Sequence, residues 1–115
     1  MDPWAASWAG SNADIPVGEK LVAELRPFIA HICSLDLTPK TMRRHLDNCW
    51  LIGGEIIRDV VESPKLGKMP PRKLLLKAID SGYAPLVRSF SEAEQRSVDA
   101  TARRLHRFLA SLERS

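Results

Sequence analysis

The sequence predicts an all-α fold, a small bundle of four to five helices with a long central helix. Apolar residues recur at i, i+3 or i+4 and i+7 in three separate stretches, the spacing of one helix face. Helix starts are written ahead of two of them, as Thr38–Pro39 and as Ser91-x-x-Glu94. Aromatics make up only 6% of the chain and β-branched runs are scarce, which leaves little material for strands.

A chain of 115 residues, 44% hydrophobic and 27% charged, suits one domain that buries its core without metal or disulfide support. Residues 16–115 are expected to form that domain. Residues 1–15, rich in small and polar types with no sustained period, are expected to be a flexible tail. Trp4 and Trp8 stand out within it. At i,i+4 they can form one face of a short helical turn that docks on the domain or on a partner.

Val17, Leu21, Leu25, Phe28, Ile29 and Ile32 mark the first helix, over residues 16–35, with a kink or break expected near Arg26 because Pro27 removes a hydrogen bond. Thr38 then caps the central helix and Pro39 fills its first position. Met42, Leu46, Cys49, Trp50, Gly53, Ile56, Ile57, Val60 and Val61 form its apolar stripe, with Arg43, Arg44, Asp47, Asn48, Arg58 and Asp59 off it. Gly53–Gly54 costs about 1 kcal/mol per glycine against alanine, and implies either a close helix neighbour or a bend. Ser63–Pro64 ends this helix.

A basic loop, 64–71, leads to a short helix over 71–80 with Leu74, Leu75, Ala78 and Ile79 inward, and Ser81–Gly82 reads as its C-cap. The connector 83–90 is extended or holds a short strand, pinned by Tyr83, Leu86, Val87 and Phe90. The last helix runs to about Leu112, with Val98, Ala102, Leu105, Phe108 or Leu109, and Leu112 inward, and Asp99 placed to pair with Arg103.

Motifs for nucleophilic catalysis, phosphate-loop binding or zinc hydrolysis do not occur, so the chain is read as a non-enzyme with no cofactor. Cys33 and Cys49 lie in apolar-patterned segments and read as buried, reduced thiols. His31 and Cys33, two apart on a helix, point roughly 200° apart and cannot chelate one ion together, so no metal site is assigned. The chain shows no secretory signal and no membrane-spanning apolar run, which sets a cytoplasmic expectation.

The net charge is +3. Residues 1–35 hold two basic against four acidic residues and residues 36–115 fifteen against ten, so the positive charge belongs to the helical body and suits a polyanion. It falls in three groups: Lys40, Arg43, Arg44 and His45; Lys65, Lys68, Arg72, Lys73 and Lys77; and Arg96, Arg103, Arg104, His106 and Arg107. If the first and third face the same way, they form a phosphate-binding surface.

The stretch FIAHICSLDLTPKTMRRHLDNCWLIGGEI, with Phe28, Ile29, Ile32, Leu37, Thr38, Pro39, Lys40, Thr41, Arg43, Arg44 and Leu46, resembles the N-terminal core-binding (SAM-like) domain of tyrosine recombinases and phage integrases over residues 28–62. The resemblance implies a small helical bundle that clasps DNA from one side, with Lys40, Thr41, Arg43 and Arg44 near the phosphate backbone. The family's catalytic domain has no counterpart here. The single tyrosine, Tyr83, lies in the connector without the family's arginine and histidine set, and Gly53–Gly54 is outside its pattern.

The sequence-level expectation is therefore a non-catalytic DNA-binding module from a bacterial or phage mobile element. Lys40, Thr41, Arg43, Arg44, Arg103 and Arg107 would hold duplex phosphates. The alternative is a protein-interaction module, an accessory or inhibitor protein or a homodimer, anchored by Trp4 and Trp8, since tryptophan is enriched in binding hot spots.

Overall fold

Five α-helices form in the computed structural model, which describes residues 3–80, 83–86 and 89–114: α1 (Trp4–Trp8), α2 (Ile15–Ser34), α3 (Pro39–Glu62), α4 (Pro71–Ala78) and α5 (Glu92–Arg114). Short 3-10 turns at Asn12–Asp14 and Pro64–Lys68 lead into α2 and out of α3. No strand occurs among the described residues. The expected all-α bundle with a long central helix is the fold observed: α3 packs against each of the other four helices.

The cap chemistry is as written in the sequence. The Thr41 N–H donates to Thr38 Oγ1 at 3.2 Å, with Pro39 at the first helical position. A cap of this kind is worth about 1 kcal/mol. At α5 the Ser91 N–H donates to Glu94 Oε1 and the Glu94 N–H to Ser91 Oγ, each at 3.1 Å. A third cap was not foreseen: Asp14 Oδ2 accepts from the N–H groups of Gly10 and Ser11, at 2.9 and 3.1 Å.

The apolar stripes meet in one core. Leu21, Leu25, Phe28 and Ile32 of α2 pack with Cys49, Ile52, Ile56 and Ile57 of α3, Leu74 and Leu75 of α4, and Val98, Ala102, Leu105 and Leu109 of α5. Full burial of one such Leu, Ile or Phe stabilises by roughly 1.5–3 kcal/mol. The stripe of α3 is narrower than its sequence suggests. Trp50 and Val61 are exposed, whereas His45 and Asn48 are buried.

Three local expectations change. Of the kink or break expected near Arg26, the break does not occur: helix α2 continues through Pro27. Proline and the residue whose carbonyl it orphans, Ala23, both lie on the exposed side, where water can satisfy that carbonyl. In the connector, Tyr83 and Leu86 are exposed and the segment is pinned by buried Ala84 and partly buried Phe90 instead. The Ala84 N–H donates to Asp99 Oδ1 at 2.9 Å, which takes the carboxylate expected to pair with Arg103. Val87 and the Ser81–Gly82 cap lie outside the described residues.

The segment expected as a tail is the largest correction, since from Trp4 it is helical and docked. Ala5 is buried against Gly18 of α2, where a Cβ would lie 3.1 Å from Ala5 Cα and Cβ. Trp8 lies across Gly53 and Gly54 of α3. A Cβ on Gly53 would overlap Trp8 Cζ2 and Cη2, and one on Gly54 would lie 3.3 Å from Trp8 Cδ1. The glycine pair is therefore a seat for an indole ring, the close-neighbour option of the two the sequence left open. Two hydrogen bonds fix it. Trp8 Nε1 donates to the Trp50 carbonyl at 3.0 Å, and Trp50 Nε1 donates to Ser7 Oγ at 2.9 Å. Trp4 packs on Trp8 with ring centroids 5.9 Å apart.

Candidate nucleic-acid interface

The contact between α3 and α5 decides where the basic residues fall. It is polar at its centre. Asn48 Nδ2 donates to Thr101 Oγ1 at 2.9 Å and to the Ser97 carbonyl at 3.1 Å. Thr101 Oγ1 lies 2.8 Å from His45 Nδ1 but 3.5 Å from the Ser97 carbonyl. The His45–Thr101 bond forms with either imidazole tautomer: Nδ1 accepts the hydroxyl proton, or Nδ1–H donates while the hydroxyl turns to the Ser97 carbonyl. Each member is satisfied, and no buried side-chain nitrogen or oxygen among the described residues lacks a partner. Such a chain sets the register of two helices more narrowly than apolar contacts do.

His45 was grouped in the sequence with the surface cations, but it is a buried, neutral member of this seam. Its pKa is held below the ordinary 6.5 first by burial, then by the positive charges of Arg104 and Arg44. Arg44 adjoins His45 in α3 and Arg104 comes about one turn after Thr101 in α5, so the His45–Thr101 contact brings part of the first basic group and part of the third to the same helix seam.

Lys40 is one turn before Arg44 on the same face of α3. Arg107 is one turn beyond Arg104 and lines with it a cleft of about 340 Å³ between α2 and α5, together with Phe28, His31, Ile32 and Phe108. His31 and Phe108 have ring centroids 5.2 Å apart and Phe28 and Phe108 5.6 Å apart.

The remaining residues expected at the interface are less convergent. Arg43 is rotated about 100° from Arg44 and shares the flank of Trp50. Arg103 stands with Arg96 on the solvent side of α5, both exposed. The Thr41 hydroxyl accepts from Thr38 Oγ1 at 3.0 Å, within the cap. Arg104, His31 and Phe108 were absent from the expected set. Arg104, Arg107, Phe108 and Ser111 fall at i, i+3, i+4 and i+7, one flank of a helix, and this pattern was the available signal.

Among the described residues, Lys40, Arg43, Arg44, Arg103, Arg104 and Arg107 have no carboxylate within ion-pair distance, whereas Arg58 pairs with Glu55 at 4.0 Å and Arg72 with Glu24 at 3.4 Å. Basic residues in the first turns of α3, with no acidic residue in its first turn, add to the positive end of the helix dipole rather than opposing it. The basic residues at the start of α3 and in the second half of α5 therefore carry charge that no carboxylate pairs among the described residues.

The described residues contain no group of three or more potential ligands able to hold a metal ion. Cys49 is buried, with its thiol pushed up to about 12 by desolvation, while Cys33, expected to be buried, is exposed. No described helix is long and apolar enough to cross a membrane. Compared with known protein families, curated proteins and solved structures, the chain matches none.

Proposed function

We propose that the protein is a non-catalytic helical module that binds duplex DNA through its phosphates, with Lys40, Arg44, Arg104 and Arg107 as the principal contacts and Arg43 and Arg103 at the margins. The observation that carries this reading is that Arg44 and Arg104 adjoin the one α3–α5 seam formed at His45, Asn48 and Thr101, with no carboxylate paired to either arginine among the described residues. Like charges held together on a folded surface repel, and a polyanion relieves that repulsion. The resemblance of residues 28–62 to the core-binding domains of tyrosine recombinases adds to it, because there too the helix opening carries the backbone contacts. A mobile-element context is part of the same proposal.

Such binding has a measurable signature. Affinity for a blunt duplex should fall steeply with salt, with a log–log slope near −0.9 per phosphate neutralised. Arg44→Gln and Arg104→Gln should each make the slope shallower by about one contact while weakening all duplex sequences about equally. Fluorescence anisotropy with a labelled duplex at graded salt reads both. Absence of binding even at low ionic strength would rule the function out.

A further inference from the structure

We infer that the cleft between α2 and α5 receives an unpaired DNA base at the edge of the bound duplex, so that the protein favours a single-stranded overhang over a blunt end. This inference rests on the duplex reading above and adds a specificity to it. The cleft sits against the proposed phosphate contacts because two of them, Arg104 and Arg107, also line it.

Its chemistry is that of a base site rather than a second phosphate site. Phe28, fully buried, is the floor. Phe108, only partly buried, is in ring contact with His31 at 31° and with Phe28 at 60°, and with exposed His31 it gives the cleft an aromatic wall. Arg104 and Arg107 stand beside that wall with no carboxylate in reach among the described residues. Their guanidinium groups can hold the phosphate on either side of a stacked base or lie over its face.

A volume of about 340 Å³ is at the lower end for a small-molecule site. It suits one planar ring rather than a stacked pair. Aromatic rings next to arginines are how single strands are held without sequence preference, since every base offers a π-face. A paired base inside a duplex has both faces covered and cannot use the wall. The occupant is accordingly an unpaired nucleotide joined to the duplex that Arg44 and Lys40 hold.

Three labelled probes with the same duplex test this on the full chain: one blunt, one with a three-nucleotide overhang, and one with that overhang made abasic. The overhang probe should bind about tenfold more tightly than the blunt one. The abasic overhang, which has the same added phosphates, should gain little. His31→Ala, at an exposed position, and Phe108→Leu, which keeps apolar bulk but removes the ring, should each lower the overhang advantage several-fold without changing blunt-duplex affinity. Equal gain from the intact and abasic overhangs would show a phosphate effect and overturn the base site while the duplex reading stood. Loss of affinity for all three probes in both variants would likewise overturn it. Failure of every probe to bind the wild-type protein at low salt would remove the duplex reading and the base site together.

Discussion

Replacing Gly53 with alanine should destabilise this protein, although the same change in the interior of an ordinary helix stabilises by about 1 kcal/mol. The reversal comes from Trp8. The new methyl would overlap the six-membered ring of Trp8, and the ring cannot slide aside without breaking its 3.0 Å hydrogen bond to the Trp50 carbonyl. A half-buried tryptophan removes on the order of 100 Å² of apolar surface from water, worth about 2.5 kcal/mol. Its hydrogen bond adds roughly 1 kcal/mol, and ordering the N-terminal segment takes part of this back. Trp8→Ala should therefore cost about 2–3 kcal/mol.

Gly53→Ala alone, which displaces Trp8 but gains helix propensity, should cost about 1–2 kcal/mol by the same figures. With Trp8 already removed, Gly53→Ala should instead stabilise by up to about 1 kcal/mol. Urea unfolding followed by far-ultraviolet circular dichroism, which does not depend on the tryptophans, gives all four corners of the cycle. The expected coupling is about 2–3 kcal/mol. Additivity within about 0.5 kcal/mol would mean that Trp8 is not seated on Gly53.

Thr101→Val keeps the shape of a fully buried side chain but leaves His45 Nδ1 unpartnered and Asn48 short of one acceptor, and should cost roughly 1–3 kcal/mol in the same assay. The lowered pKa of His45 means that the unfolded chain takes up its proton more readily than the folded one. The stability tied to neutral His45 is present in full above about pH 6.5 and is lost as pH falls from there through the folded-state value. The loss between about pH 7.5 and 5.5 should be shallower in His45→Gln, and an unchanged slope would show that the imidazole is not a buried neutral group. Native protein should show fast reaction of one thiol, Cys33, with Ellman's reagent. Cys49, with its thiol near 12 and no exposure to speak of, should react only as the fold opens, and fast reaction of both would contradict its burial.

What could be read from the sequence was local. The Thr38 and Ser91 caps, the stripes of α2, α3 and α5 and the short α4 all follow from spacing within a dozen residues, where propensity and periodicity act directly. The rest depends on pairs distant in the chain. Trp8 and Gly53 explain one another, but neither alone announces a ring and its seat. Asn48 and His45 look like surface residues until Thr101, buried within the α5 stripe, supplies a polar partner. Cys33 misled because alternation with apolar neighbours places a residue near a core without deciding which side of the helix it takes. At the candidate interface the residue types were legible and their convergence was not. Arg44 and Arg104 come to the same seam through the α3–α5 register, along which the Asn48–Thr101–His45 chain lies.

The indole over Gly53 and Gly54 also bears on how stiff α3 can be. Two adjacent glycines leave a bare strip of main chain in the middle of a 24-residue helix, where water can compete for carbonyls and the chain has most freedom to bend. Trp8 roofs that strip and α1 lies across it like a splint. With the first residues of the chain in place, the bare strip between the arginine-bearing and core-bearing ends of α3 is covered by the hydrogen-bonded Trp8 ring. A shortened chain beginning near Gly10 would keep every long helix and yet acquire a joint at its centre, loosening the aim of Arg44 from a position far from it in sequence.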